Sequence, residues 1–271
     1  MTFSKFLVLT PVILAGLHLA DAQIFSVYIG APAGQTTTHG GAVTEPFTSF
    51  TPGSQNGTVV STALATFTGT YDFTNSSGLA GQIRGADAFG GAGGTGQYVA
   101  MGQAWLPNGN PFSLGLGANE ANYFGFWWSA GDANNFVSFY NNSVLLATFT
   151  SADIFTILSG SGTITSVNND IYNKSAYFGN PTIPPFLGQN ASEPYAYISI
   201  YAQGSTVFDE VRFDNGSGST GFESDNHSLF NGILTPDGTS VFVTTIPEPT
   251  TVVLVGLSLA CLLFLRRRRT A

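Results

Sequence analysis

Short runs of alternating apolar and polar residues recur along most of this chain. In the most aromatic run, 121–129, alternation puts Phe124, Phe126 and Trp128 on one face and Trp127 on the other. Turns rich in Gly, Asn and Ser separate the runs. We expect an all-β fold of roughly a dozen short, mainly antiparallel strands in a two-sheet, jelly-roll-like sandwich. The main predicted strands are 24–29, 59–71, 79–84, 98–105, 121–129, 136–140, 144–149, 195–202, 206–213 and 240–245.

Three segments between the strands carry more specific predictions. Residues 85–96 are rich in glycine but lack the Lys-Ser/Thr ending of a phosphate loop, so we interpret them as a surface loop. Thr150 or Ser151 is expected to cap a short helical turn. Residues 177–181 are expected to end a short strand.

The N-terminal residues have the pattern of a secretory signal peptide. Lys5 precedes a mainly apolar stretch, 6–19, and Ala20 and Ala22 form the small-x-small pattern that signal peptidase accepts. We expect residues 1–22 to be removed and the mature chain to begin at Gln23. The alternative is an uncleaved N-terminal anchor.

The C-terminal residues combine three features in a fixed order. The motif Pro247, Glu248, Pro249 precedes an uncharged apolar run, 252–265, which is shorter than the roughly 20 residues of a usual membrane span. Prolines have no backbone donor, so the motif indicates an extended, accessible stretch. The run predicts one transmembrane helix, and the basic cluster after it favours a cytoplasmic end. That cluster is Arg266, Arg267, Arg268 and Arg269.

This ordered set resembles the PEP-CTERM sorting signal of bacterial surface proteins. The resemblance implies that a membrane-bound exosortase recognises Pro247, Glu248 and Pro249 and cleaves near them, with export of the ectodomain. The alternative is a plain C-terminal anchor. The expected domains are a signal peptide at 1–22, an extracytoplasmic sandwich at 23–245 and the sorting signal at 246–271.

A second resemblance covers much of residues 98–245. The segments 123–135, 208–213 (FDEVRF) and 221–226 (GFESDN) look like those of exosortase-dependent surface proteins. The resemblance implies that the last two segments close the sandwich. It implies no particular molecular activity.

Charge and cysteine content exclude several classes of function. Within 23–245, three basic residues (Arg84, Lys174 and Arg212) against fourteen acidic ones give a net charge of −11. Three scattered cations cannot form a nucleic-acid surface. Cys261 is the only cysteine, so an intramolecular disulfide is excluded. The two ectodomain histidines are too few for a usual zinc site.

Oxygen-bearing side chains suggest a calcium site. Calcium takes 6–8 oxygen ligands, and strand alternation would put Glu223 and Asp225 on one face. The alternative is that these side chains bond the local backbone in polar turns. The candidate ligands are Asp132, Asn134, Asp209, Glu223, Asp225 and Asn226, with Asn135 and Asp214 as neighbours.

Trp127 and Trp128 are candidates for stacking on sugar rings, although packing in the core is the more frequent fate of such side chains. Catalysis is not expected. No spacing among the acidic residues singles out the pair of carboxylates that a glycosidase needs. A Gly-x-Ser-x-Gly elbow is missing from the sequence, and His39 and His227 have no evident serine partner.

These observations predict a non-enzymatic surface or extracellular-matrix protein of the bacterial envelope. Signal peptidase and exosortase are its expected processing partners, and the C-terminal helix is expected to hold it in the membrane before cleavage. The alternative is a calcium-dependent carbohydrate-binding module, with exopolysaccharide as its partner.

Overall fold

The computed structural model describes residues 23–74, 81–102, 111–216, 221–233 and 236–246. Gln23–Ile246 forms one compact unit. The predicted signal peptide with Ala20 and Ala22, the sorting motif, the predicted membrane run and the arginine cluster lie outside the described residues. Within the described ranges, every helix is too short or too polar to cross a membrane.

The described residues form one α-helix, α1 (Ser151–Ser159), three 3₁₀ segments (Ala65–Phe67, Ala92–Gly94 and Lys174–Tyr177) and seventeen strands. The strands are β1 (Gln23–Ile29), β2 (Val43–Glu45), β3 (Gly53–Gln55), β4 (Thr58–Val60), β5 (Thr70–Asp72), β6 (Gly81–Gly85), β7 (Gln97–Gly102), β8 (Phe112–Gly115), β9 (Tyr123–Ser129), β10 (Phe136–Asn141), β11 (Val144–Thr150), β12 (Thr163–Thr165), β13 (Ile171–Asn173), β14 (Ala196–Ala202), β15 (Glu210–Asp214), β16 (Gly221–Phe230) and β17 (Phe242–Ile246).

The strands pair into two main antiparallel sheets and a separate pair, β12–β13. The larger sheet has nine strands in the order β17-β1-β14-β9-β16-β7-β6-β3, with β2 also paired to β16. The smaller sheet has six strands in the order β11-β10-β15-β8-β5-β4. Strands that are neighbours in sequence often lie apart, so the chain passes repeatedly from one sheet to the other.

The main core lies between these two sheets. Phe25 of β1 contacts Phe139 of β10, with ring centroids 5.3 Å apart, and Phe124 of β9 contacts Phe213 of β15 at 5.8 Å. Such edge and tilted contacts are favourable packing geometries for aromatic rings. The predicted all-β, antiparallel, two-sheet architecture is therefore confirmed.

The larger sheet is also covered on its outer face. All seven residues of β9 are buried. Phe124, Phe126 and Trp128 belong to the main core, whereas Tyr123 and Trp127 belong to two separate clusters on the other face. The predicted alternation is confirmed, and the face that carries Tyr123 and Trp127 is a second buried layer.

The predicted strand 59–71 is interrupted. Leu64 N–H donates to Ser61 Oγ at 3.0 Å, and both Phe67 and Gly69 N–H donate to the Leu64 carbonyl. These local bonds turn the chain into the 3₁₀ segment Ala65–Phe67, so two short strands replace one long one.

Two further local predictions have different outcomes. Thr150 Oγ1 accepts the N–H of Ala152 at 3.1 Å, which confirms the predicted helix cap. The helix runs on to Ser159 because Ile154 and Leu158 bury their side chains in the core. The predicted strand end at 177–181 is wrong. Tyr177 closes a 3₁₀ segment, and Phe178 makes only an isolated bridge to Pro194.

Candidate functional site

The last strand ends immediately before the predicted sorting motif. Within the residues that the structure describes, β17 lies at the edge of the larger sheet and pairs with β1 alone. The register places Ile246 opposite Gln23, the first residue of β1. On the inner face, the ring of Phe242 lies 5.6 Å from that of Phe149. The first and last residues of the folded unit, Gln23 and Ile246, are therefore paired with each other. Each lies next to a predicted cleavage site.

Glu223 and Asp225 lie on the same face of β16, as the alternation predicted, because the register is regular between them. Asp225 is buried, with its carboxylate bonded to the backbone. Its Oδ2 accepts the N–H of Ala92 at 2.8 Å, and its Oδ1 accepts that of Asn226 at 2.7 Å. Asn226 has a left-handed backbone, with φ of 50°, and its Nδ2 donates to the Gln35 carbonyl.

The other predicted calcium ligands lie elsewhere. Asp209 precedes β15 in the smaller sheet, where its Oδ2 accepts the N–H of Asn142. Asp132 and Asn134 lie in the turn between β9 and β10. In the described part of the chain, His, Cys, Asp and Glu side chains form no group of three or more that could hold a metal ion. Residues 209–226 are close in sequence, but β15 and β16 belong to opposite sheets.

The predicted stacking role of the two tryptophans does not fit their positions. Trp127 is 0% exposed and Trp128 is 1% exposed. Trp128 lies in the main core and donates from Nε1 to Asn135 Oδ1 at 3.1 Å. Trp127 packs beside Tyr195 on the outer face. Both rings are covered because β9 is a central strand with packed layers on each side.

A surface pocket of about 350 Å³ lies above Asp225. Threonine hydroxyls, glutamine and asparagine amides and the glycine-rich loop surround it. Its lining residues are Gln35, Thr36, Pro46, Thr48, Ala92, Gly93, Thr95, Gly96, Gln97, Asp225 and Asn226. Burial raises the pKa of the Asp225 carboxyl to about 7, and the N–H donors of Ala92 and Asn226 oppose part of that shift. The pocket therefore combines apolar and neutral polar groups with one carboxyl whose pKa lies near neutrality.

A buried polar group lies on the opposite face of β16. His227 bonds through Nδ1 to the Tyr71 hydroxyl and through Nε2 to Ser224 Oγ, each at 3.0 Å. Burial lowers the pKa of His227 to about 3, so the ring is neutral at pH 7. The expectation that His227 has no serine partner is therefore wrong. Ser224 and His227 are 1% and 0% exposed, which leaves a substrate no access to the pair.

A β-bulge explains why the sequence pattern missed this contact. In a regular strand, residues 224 and 227 point to opposite faces. The pairing of β16 with β9 shifts register between Asp225 and Ser228, where Asn226 adopts its left-handed conformation. The extra residue puts Ser224 and His227 on one face. The Asp-Asn pair before the histidine was the available signal, because Asn tolerates this conformation better than most residues.

Comparison with protein families matches residues 245–269 to the PEP-CTERM protein-sorting motif. The chain therefore carries the sorting signal that its C-terminal pattern predicted. The signal implies exosortase as the processing partner, a membrane-anchored precursor and export to the surface. Searches of curated proteins and of solved structures gave no match.

Proposed function

We propose that this chain is a non-enzymatic surface or extracellular-matrix protein, secreted through its predicted signal peptide and cleaved by an exosortase near Pro247, Glu248 and Pro249. The matched sorting motif at residues 245–269 carries the proposal. Before cleavage, the apolar run 252–265 holds the precursor in the membrane, and the four arginines keep its end in the cytoplasm. After cleavage, the exported product begins at Gln23 and ends near Pro247–Pro249.

The folded unit supports a non-catalytic role. The Ser224–His227 pair is sealed in the core, and the carboxyl of Asp225 is bonded to backbone N–H groups. Dense aromatic packing supplies stability without disulfides, since Cys261 is the only cysteine. A stable domain with few cations suits an exported structural component.

The test is processing of the full chain in bacteria with and without an exosortase. In the variant with P247A, E248A and P249A, we expect the uncleaved precursor to accumulate in the membrane fraction. The matched control, T250A with T251A, alters the next two residues and keeps the motif. Equal cleavage in cells that lack the enzyme would refute the assignment.

A second candidate function is binding of a neutral saccharide in the pocket above Asp225. The pocket's volume of about 350 Å³ and its mixed lining of apolar surface and neutral polar residues support this candidate. The proposed binding does not invoke calcium, and among the described residues no group of three or more His, Cys, Asp or Glu side chains could hold a metal ion.

This candidate is tested by titrating neutral oligosaccharides into residues 23–246, with calcium or with chelator. We expect N226A and T48A to weaken binding and the distant surface variant T148A to leave it unchanged. Binding that disappears with chelator would restore the calcium-dependent alternative. Equal binding by N226A, T48A and the parent would exclude the pocket.

A further inference from the structure

The matched sorting segment begins inside the folded domain. Thr245 and Ile246 belong both to the segment 245–269 and to β17. In the sheet they lie opposite Ile24 and Gln23 of β1. The first residues of the sorting signal are therefore held in a hydrogen-bonded strand, and Pro247 follows with no linker.

The chain between the fold and the predicted membrane run is short. Only the five residues 247–251 separate Ile246 from Val252, and fully extended they span at most about 18 Å. A single α-helix with its side chains is about 10–12 Å across. While β17 stays paired, the stretch between Ile246 and Val252 is therefore long enough to pass only about one helix of an enzyme. Release of the five residues of β17 raises the limit to about 36 Å.

β17 is well placed to open without disrupting the rest of the sheet. Among the described strands it pairs with β1 alone, and Val243 on its outer face is 53% exposed. Its inner face is held by the contact between Phe242 and Phe149. By contrast, β9 and β14 are fully buried and paired on both sides. Local opening requires least free energy where few buried contacts are lost.

We propose that the unpairing of β17 from β1 regulates exosortase cleavage. The enzyme acts on the fraction of chains in which β17 has left the sheet, so the strength of the β1–β17 pairing sets the rate of release. This inference rests on the proposed function, in which an exosortase cleaves near Pro247–Pro249. When opening is fast relative to cleavage, the cleavage rate follows the population of the open form.

The experiment pins β17 to β1 with a disulfide in the full-length chain. Ser26 and Val243 are direct partners in the register. Directly opposed antiparallel residues have Cα atoms about 4.5–5.5 Å apart, which suits a disulfide. S26C/V243C is made in a C261A parent so that the new cysteines pair only with each other. The matched control, S138C/T148C, joins an exposed direct pair of β10 and β11.

Cleavage is followed by pulse-chase in exosortase-containing cells, and thiol labelling confirms that each disulfide has formed. We expect S26C/V243C to be cleaved at least tenfold more slowly than S138C/T148C. Eight Gly/Ser residues inserted between Ile246 and Pro247 should restore cleavage of the pinned chain, because the linker replaces the reach that β17 would supply. F242A, which weakens the packing of β17 on Phe149, should be cleaved severalfold faster than the parent.

Cleavage of S26C/V243C at the control rate would overturn the proposal. So would a pinned chain that stays uncleaved with the linker, because its defect would not be one of reach. An unchanged rate in F242A would also overturn it. If the C261A parent itself is not cleaved, the proposed function fails and the gating fails with it. If the parent is cleaved and the pinned chain is cleaved at the same rate, the proposed function stands and only the regulation by β17 is refuted.

Discussion

Two buried groups on opposite faces of β16 give the domain opposing responses to pH. Asp225 has an ordinary pKa of 3.8, raised by burial to about 7. His227 has an ordinary pKa of 6.5, lowered by burial to about 3. The pH ranges over which the two groups change the free energy of unfolding overlap. Substituting one group therefore reveals the contribution of the other.

For Asp225, the folded state favours the protonated acid. Its stabilising contribution is fully present below pH 3.8 and is lost as the pH rises through about 7. Each pKa unit corresponds to about 1.4 kcal/mol, so the free energy of unfolding falls by up to about 4 kcal/mol across this range. The slope is about −1.4 kcal/mol per pH unit.

For His227, the folded state favours the neutral ring. Its contribution is present above pH 6.5 and is lost as the pH falls through about 3. The size is again up to about 4–5 kcal/mol, with the opposite slope. Between about pH 4 and 6.5, the contributions of Asp225 and His227 to the wild-type profile nearly cancel.

The perturbation is D225N in residues 23–246, measured by urea unfolding from pH 4.5 to 7.5. The variant also leaves one backbone N–H without its carboxylate acceptor, at a cost that does not vary with pH. The difference in the free energy of unfolding, wild type minus D225N, should therefore fall by about 3–4 kcal/mol as the pH rises across this range.

Two further variants complete this test. H227Q removes the other titration and should leave a domain that loses stability as the pH rises from 4.5 to 6.5. D153N, at an exposed position in the first turn of α1, controls for the change in net charge. Parallel pH profiles for wild type and D225N would refute the burial of an ionisable Asp225.

Two other substitutions test the packing of the domain. In G90A, the new methyl group would lie 2.6 Å from the ring of Tyr98, so we expect a loss of about 1–3 kcal/mol in urea unfolding. G85A, where the space is open, should cost less than half as much, and equal losses would contradict the packing described. N135A removes the acceptor of the Trp128 indole and should cost about 1–3 kcal/mol, with altered tryptophan fluorescence. An unchanged midpoint for N135A would show that this bond does not stabilise the fold.

Local sequence patterns predicted the features that depend on neighbouring residues. Alternation in 121–129 placed Phe124 and Trp128 on one face and Trp127 on the other, which the structure confirms. A helix cap was predicted at Thr150 or Ser151 from their side chains, and the structure shows Thr150 in that role. The sorting signal was predicted from the order of its three parts, which the family comparison confirms.

Features that depend on long-range pairing were missed. Sequence proximity suggested one cluster of acids, but β15 and β16 lie in different sheets, so Asp209 is separated from Asp225. Alternation cannot anticipate a bulge, and the bulge at Asn226 brings Ser224 to His227. Burial of Trp127 depends on loops that cover the outer face, which strand periodicity does not report. The pairing of β1 with β17 joins the two ends of the domain and has no local signal.

The most direct test of the central claim is the intact mass of the mature protein recovered from exosortase-containing cells. We predict a product that begins at Gln23 and ends near Pro247–Pro249, without the apolar run 252–265 and the arginine cluster. Cells that lack the enzyme should yield a chain that keeps both. A mature protein that retains its tail in exosortase-containing cells would contradict the assignment.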